Sequence, residues 1–292
     1  MGIELSPIIA GVMSWGVWGS DLAAKDMQDL INHYLELGVD TFDHADIYGH
    51  YTTEEAFGNA LKLDGTLRQK MKLITKCGIN LTTPNRPQYQ MKSYSTNRNH
   101  ILKSVDKSLE NFNTDYIDVL LIHRPSPLMN PHEIAEAFST LKRNGKVLNF
   151  GVSNFSAAQF DVLNSCFELC TNQVEASVLH LNPFWDGTFD TCLKNKIIPT
   201  IWSPLAGGKV FKEKNERISR LMKVIDELED KYDLYLDQIL LSWLMTHPAK
   251  LIPVIGTTNK ERIAKSVAAT KVKLENEDWF KIWEASTGVE VP

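Results

Sequence analysis

The chain predicts an α/β fold: a closed (β/α)8 TIM barrel, built as a single domain over residues 1–292. Three observations lead there. Eight short apolar runs rich in Val, Ile and Leu alternate with longer segments of helical period. Strands that alternate with helices pair in parallel, because parallel neighbours need a crossover long enough to hold a helix. The rival, an open doubly wound sheet, would want a G-x-G-x-x-G turn after an early strand, and none occurs. Eight units also suit the length, since such barrels take about 250 residues.

The predicted strands are residues 8–12, 39–43, 72–76, 117–123, 147–153, 173–177, 198–203 and 251–255. Between the third and fourth, "STNRNHILKSVDKSLENF" repeats Ile101, Leu102, Val105, Leu109 and Phe112 at helical spacing. Capping residues open the helical segments: Ser20 or Asp21, Thr53 ahead of Glu54 and Glu55, Thr96, Ser156 and Asn259. Gly38 and Gly145 stand where helices stop before the next strand. The gap between the seventh and eighth runs has room for a loop and two extra helices, around 217–231 and 236–246. A last helix near 277–285 is expected to lie across the barrel exterior.

Composition excludes several functions. Apolar content of 43% and charge content of 23% are ordinary for a globular protein. A net charge of −5 argues against a generic nucleic-acid or membrane-surface binder. No apolar run approaches the roughly 18 residues of a membrane span. The start "MGIELSPIIAGV" has an acid and no basic segment, so no secretory signal is read and a cytoplasmic location is expected. Gly2 with Ser6 fits a myristoylation pattern short enough to arise by chance. Cys77, Cys166, Cys170 and Cys192 show neither CxxC nor metal spacing. Cys166 and Cys170, one helical turn apart, read as buried small hydrophobes. In "DHAD", Asp43 and His44 are adjacent on a strand and face opposite ways, so no metal site is expected. "HEIAE" from His132 lacks the second histidine of a zinc protease.

In a barrel of parallel strands every carboxyl end opens onto one face, where active sites sit. Asp43 ends the second run, Lys76 the third and His123 the fourth, and Tyr48 lies in "TFDHADIYGH" just past the second. These groups are chemically consistent. A free phenol, with a pKa of about 10, holds its proton too tightly to be a prompt acid at neutral pH. A neighbouring ammonium is expected to lower that pKa, and Asp43 to hold the lysine in place and charged. His123 can hydrogen-bond a substrate oxygen. Such a set can protonate a carbonyl oxygen. No side chain is an evident nucleophile for the carbon, and a hydride from a nicotinamide would fit.

From about Ile8 to Arg262 the chain resembles the aldo-keto reductase family, in particular a bacterial branch of NADP-dependent carbonyl reductases. The resemblance rests on "DHADIYG", on "TKCG" and on four tetrad residues in order. It implies that Tyr48 is the proton donor, that Lys76 and Asp43 tune it, and that His123 orients the carbonyl. It further implies that Ser153, Asn154 and Gln173, in "GVSNFS" and "NQVEAS", hold the nicotinamide carboxamide. In "IWSPLAGG", Trp202 would stack on the nicotinamide, and Ser203, Leu205 and Gly207 would border the pyrophosphate. "IGTTNKERI" supplies Gly256, Thr257 and Thr258 and opens a helix, a terminus that favours anions. Arg262 there can grip a ribose 2′-phosphate, which points to NADPH with NADH less favoured. Met13 takes the place of a common family tryptophan, and Trp15 and Trp18 follow it in the expected substrate pocket.

The chain departs from the family at Gly256, where some members carry lysine, and at Ser266, where an asparagine is usual. The expected activity is reduction of aldehydes or ketones to alcohols by a monomer acting on a small-molecule carbonyl, with no nucleic-acid or membrane partner. Two other readings stay open. One is an NADP-binding regulatory module like the potassium-channel β subunits. The other is a class I aldolase with Lys76 as Schiff base. The physiological substrate is not legible.

Overall fold

Eight parallel strands close into a barrel: β1 (Ile9–Gly11), β2 (Thr41–Asp43), β3 (Lys72–Cys77), β4 (Ile117–Ile122), β5 (Val147–Ser153), β6 (Asn172–Glu175), β7 (Thr200–Trp202) and β8 (Ile252–Ile255). The structure is a computed structural model and describes residues 3–291. Gly2, and with it the acylation pattern, lies outside the described residues. Each strand pairs with its sequence neighbours, and β1 seals the ring against β8 through Ile9↔Val254 and Ala10↔Ile255.

The alternation of strand side chains divides the core in two. Ile9, Ile74, Val119, Leu121, Ile252 and Val254 point inward and pack together, with Ile3 and Leu5 against them. Their neighbours Ala10, Phe42 and Leu73 point outward and pack with Met27, Leu30, Ile31 and Tyr34 of the first helix, Ala24–Glu36. Each fully buried side chain of this size stabilises the fold by about 1.5–3 kcal/mol. The paired strands are mostly shorter than the apolar runs; β1 is three residues long and β7 three. Some run ends still bond to the next strand beyond these limits, the Val12 amide to the Asp43 carbonyl and the His123 amide to the Cys77 carbonyl.

Helix boundaries obey local capping at some positions only. Ser156 forms a capping box with Gln159, and the Asn259 side chain accepts a hydrogen bond from the Arg262 amide. The first helix, however, begins after Ala23 with no side-chain cap. Ser20 and Asp21 instead close a turn, their amides bonded to the carbonyls of Ser14 and Gly16. At Arg98–Phe112 the cap is Asn97, not Thr96, and Thr53 already lies inside the helix Thr53–Leu61. Gly38 and Gly145 both follow helix ends with left-handed φ, 78° and 68°. Helix Ala157–Asn164 ends before Cys166, so Cys166 and Cys170 do not share a helix, and both are only partly buried.

Two extra helices, Glu216–Tyr232 and Leu236–Met245, fill the gap before β8. The last helix, Asn276–Thr287, packs on this pair, in one apolar cluster with Val174 and Ile201 on the outside of the barrel. Trp279 stacks on both Trp243 and Trp283, at 4.9 and 5.4 Å between centroids, and the latter two also lie within 6.3 Å, so the three rings form one cluster. A hairpin of Ile79–Asn80 with Ser93–Tyr94 follows β3 and has no signal in the sequence, its strands being two residues each. No helix among the described residues is long and apolar enough to cross a membrane.

Candidate active site

The inward register that builds the core continues into polar residues at the carboxyl ends of the strands. Asp43 pairs with Ile74 and Lys76 with Leu121, so Lys76 stands two residues above Ile74 on the same inward face. Lys76 is 1% exposed, and its Nζ donates to Asp43 Oδ2 at 2.7 Å, to the His44 carbonyl at 2.6 Å and to Tyr48 Oη at 3.2 Å. The other Asp43 oxygen accepts from Gln173 Nε2 at 2.8 Å. His123 lies edge-on to Tyr48, ring centroids 6.1 Å apart, and its Nδ1 has no protein partner.

Burial sets the protonation of this cluster. The lysine was expected to lower the Tyr48 pKa; burial instead raises it, and the pull of Lys76 in the other direction does not offset the loss of solvent. For Lys76, burial disfavours the ammonium, but Asp43 and Tyr48 together outweigh it and the pKa rises. His123 is pushed well below the usual imidazole range by burial and by the positive charges of Lys76, Arg124 and Lys92. The cluster therefore presents a protonated phenol, an ammonium and a neutral imidazole at pH 7.

Tyr48 is aimed by a backbone turn that the sequence does not announce. Gly49, His50 and Tyr51 all have left-handed φ, 57°, 58° and 69°. For the two residues with side chains that conformation costs roughly 1–2 kcal/mol each. A Cβ on Gly49 would fall 2.4 Å from Thr53 Oγ1, so this position admits only glycine. The loop after β3 holds the turn: Asn85 Nδ2 donates to the His50 carbonyl at 2.8 Å, and the Leu81 amide donates to Tyr51 Oη at 2.8 Å. Arg86 covers the Tyr51 ring at 4.6 Å.

On the opposite side of β2, His44 is fully buried against Phe57 and Phe112, centroids 4.4 and 4.9 Å away. Both its ring nitrogens lack partners, and burial first, then Lys76, pushes its pKa well below the usual value. Asp43 and His44 thus face different surroundings. No cluster among the described residues is arranged to hold a metal ion. Cys77 is 1% exposed, and burial raises its thiol pKa well above the usual value, which leaves it unreactive.

A second group lies at the ends of β5, β6 and β7. Ser153 Oγ donates to the Gln173 carbonyl at 2.9 Å, and Asn154 Nδ2 donates to Ser153 Oγ at 2.8 Å. Trp202 Nε1 donates to Asn154 Oδ1 at 2.9 Å, which fixes the indole with part of its surface exposed. Past it, Ser203, Ala206, Gly207 and Gly208 all adopt left-handed φ, and Leu205 packs into both neighbouring core clusters. After β8, Gly256 is exposed and its carbonyl accepts from Ser14 Oγ at 2.8 Å. The Thr257 carbonyl accepts from Tyr34 Oη at 3.0 Å, and Thr258 Oγ1 lies 3.3 Å from Ser20 Oγ. Arg262 is exposed in the first turn of helix Lys260–Ala268. Ser266 is buried, its hydroxyl donating to the Arg262 carbonyl at 2.9 Å, so it turns into the helix and not toward a ligand.

The three pocket residues near β1 part company. Met13 is 50% exposed, and Trp18 lies at the rim, 6.1 Å from the Tyr48 ring and edge-on to His50 at 5.2 Å. Trp15 is not a pocket residue. It has no exposed surface and packs among Tyr34, Phe42 and Phe57, because the turn through Gly16 and Gly19 folds it onto the first helix. One residue escaped the sequence reading. Arg124 follows His123, and its guanidinium carbon lies 5.6 Å from the Trp202 ring centroid. Its adjacency to a strand-end histidine was the available signal.

The donor set suits a nicotinamide dinucleotide: amide side chains beside an oriented indole, left-handed backbone after β7, and a capped helix start carrying an arginine. A closed barrel with a buried Asp–Lys–Tyr chain and a neutral histidine at its carboxyl end defines a class of oxidoreductase. Residues 7–287 match the model of the Aldo/keto reductase family, and the chain belongs to that family of NAD(P)H-dependent enzymes. It is 44% identical over 99% of its length, and 97% of the relative's, to the uncharacterized oxidoreductase YcsN of Bacillus subtilis. It is 36% identical, with 99% and 97% coverage, to a 6-dehydroglucose reductase of Agrobacterium fabrum. Among solved structures, its fold is similar to that of a thermostable aldo-keto reductase, Tm1743, with TM-score 0.81 at 24% identity, covering 98% of this chain and 97% of that one.

Proposed function

We propose that this chain reduces aldehyde or ketone carbonyls to alcohols with NADPH, Tyr48 supplying the proton. The observation that carries the reading is the hydrogen-bonded chain from Gln173 through Asp43 and Lys76 to Tyr48, with His123 against the phenol. When bound, NADPH supplies a hydride for the carbonyl carbon. Tyr48 holds a proton at Oη and donates it to the carbonyl oxygen as charge develops there. The Lys76 ammonium, 3.2 Å away, stabilises the phenolate that this leaves. Neutral His123 donates an N–H to the same oxygen and orients it. Ser153, Asn154 and Gln173 would hold the carboxamide end, and Trp202 would pack against the nicotinamide ring. Ser203, Leu205, Gly207 and the Gly256–Thr258 loop border the phosphates. Met13 and Trp18 border the substrate.

NADPH is favoured over NADH because Arg262 is an exposed fork at a helix start, suited to a phosphate dianion. The 36% identical 6-dehydroglucose reductase makes a hydroxylated aldehyde the first substrate class to try. The aldolase reading fails on Lys76 itself. Its three N–H groups have three acceptors and its pKa is raised, so no free lone pair is available for attack.

The test is Tyr48→Phe. Turnover of any accepted aldehyde is expected to fall by about 10²–10⁴-fold, the usual worth of a general acid. NADPH affinity, followed by tryptophan quenching, is expected to stay within about threefold. Near-normal turnover in the Phe variant refutes the proton-donor role. Tight NADPH binding by the natural protein with no turnover across a carbonyl panel would favour the regulatory-module reading instead.

A further inference from the structure

Arg124 is a cation at the mouth of the barrel with no ion-pair or hydrogen-bond partner among the described residues. Arg68 and Arg217, also partly buried, are both held by hydrogen bonds to the protein. Arg68 bonds Asp118, Thr114 and two carbonyls, and Arg217 bonds the Val178 carbonyl and Ser286. Arg124 sits one residue past His123 and makes neither an ion pair nor a hydrogen bond among the described residues. Its one contact of note is a long cation–π approach, 5.6 Å to the Trp202 ring centroid, and none of its N–H donors has an acceptor among the described residues. Its charge is nevertheless felt by both the Tyr48 hydroxyl and the His123 ring. It follows the imidazole of His123 directly in the chain and lies 5.6 Å from the indole of Trp202, which puts it beside the place where the reacting carbonyl is expected.

Five idle donors in a planar fork, partly withdrawn from water, match a planar or vicinal pair of oxygen acceptors. We propose that Arg124 is a specificity residue, gripping an oxygen-bearing substituent, carboxylate or hydroxyl pair, on the substrate carbon chain beside the carbonyl. The inference rests on the reductase reading above and adds what that reading lacks, a reason for the enzyme to prefer polar aldehydes to alkyl ones. Trp18 and Met13, across the mouth, leave an apolar edge for the remaining chain.

The experiment compares three four-carbon aldehydes with NADPH: butanal, a trihydroxybutanal and 4-oxobutanoate. Each is measured with the natural protein, Arg124→Met and Arg124→Lys. The readout is the ratio of kcat/KM for each oxygenated aldehyde to that for butanal, which cancels any common effect of the lost charge on Tyr48. The natural protein is expected to favour at least one oxygenated aldehyde, and Arg124→Met to cut that ratio roughly ten- to hundredfold. Preference confined to 4-oxobutanoate identifies a carboxylate, with Lys recovering part of it as a point charge. Preference for the trihydroxy compound that Lys does not recover identifies the fork on a diol. A ratio unchanged in Arg124→Met, or a drop in NADPH affinity that accounts for the whole effect, overturns the assignment. Absence of turnover of all three by the natural protein, at normal NADPH affinity, overturns the reductase reading and this inference with it.

Discussion

Removing the Lys76 ammonium isolates a buried charge, and the consequence can be sized. Asp43 is 2% exposed, and one of its oxygens meets Lys76 at 2.7 Å while the other meets only the Gln173 amide. Lys76→Met keeps most of the stem's apolar volume and deletes the charge. Breaking a buried pair from one side typically costs about 3–5 kcal/mol, because the remaining ion has no solvent to return to. Removing both charges is near neutral by the same reasoning. Lys76→Met is therefore expected to lose about 3–5 kcal/mol, and Lys76→Met with Asp43→Asn to regain at least about 2 kcal/mol of it. Urea unfolding followed by the fluorescence of the seven tryptophans supplies the measurement. Stability of the single variant within about 1 kcal/mol of the natural protein would refute the argument, as would a double variant no firmer than the single. Either result would mean that water reaches the pair or that the cluster rearranges.

Three further outcomes follow from the same geometry. Arg262→Leu should weaken NADPH binding by roughly tenfold or more and leave NADH binding nearly unchanged, measured by paired titrations; an equal effect on both would detach Arg262 from the 2′-phosphate. Asp46 carries a carboxyl whose pKa is raised well above the usual range, by burial first and then by Glu54, and its Oδ1 has no partner. A raised folded pKa stabilises the fold at acid pH and loses that contribution as pH climbs from the unfolded value of about 4 toward the folded one, at about 1.4 kcal/mol per unit. Asp46→Asn should accordingly stabilise the protein at pH 7.5 and not at pH 3.5; a gain equal at both, read by urea midpoints, contradicts this. His44 is the reverse case. Its folded pKa is depressed, so above about 6.5 neither state is protonated, and below it the unfolded chain alone takes up a proton. Between pH 7.5 and 5.5 the stability of the natural protein should therefore fall relative to that of His44→Leu; parallel pH profiles of the two would show that His44 titrates freely.

Much of the architecture was readable before any coordinates. The eight runs and the helical segments between them are local patterns, and Ser156, Asn259, Gly38 and Gly145 act through bonds spanning a few residues. The failures are also local in kind. Ser20 and Asp21 look like caps, but their amides close a turn with Ser14 and Gly16 before the helix begins. The hairpin after β3 is too short to carry a period, and the left-handed run at 49–51 is imposed by Asn85, Leu81 and Arg86 from a loop some thirty residues on.

What the sequence by itself determined is the alternation of strands and helices, the polar residues Asp43, Lys76 and His123 at the ends of three runs, and the family to which the pattern belongs. Tertiary structure decided which way those residues face and what surrounds them. Trp15 joins the core while Trp18 reaches the rim, although both lie in one short loop. Gln173 reaches Asp43, 130 residues away in the chain, and Arg124 is left beside the site with no hydrogen-bond partner among the described residues. The Tyr48 hydroxyl is raised rather than lowered in pKa because solvent loss, a property of the closed barrel, outweighs the single charge that its neighbour supplies. Periodicity is written residue by residue along the chain. Burial and pairing across the ring exist only once β1 meets β8.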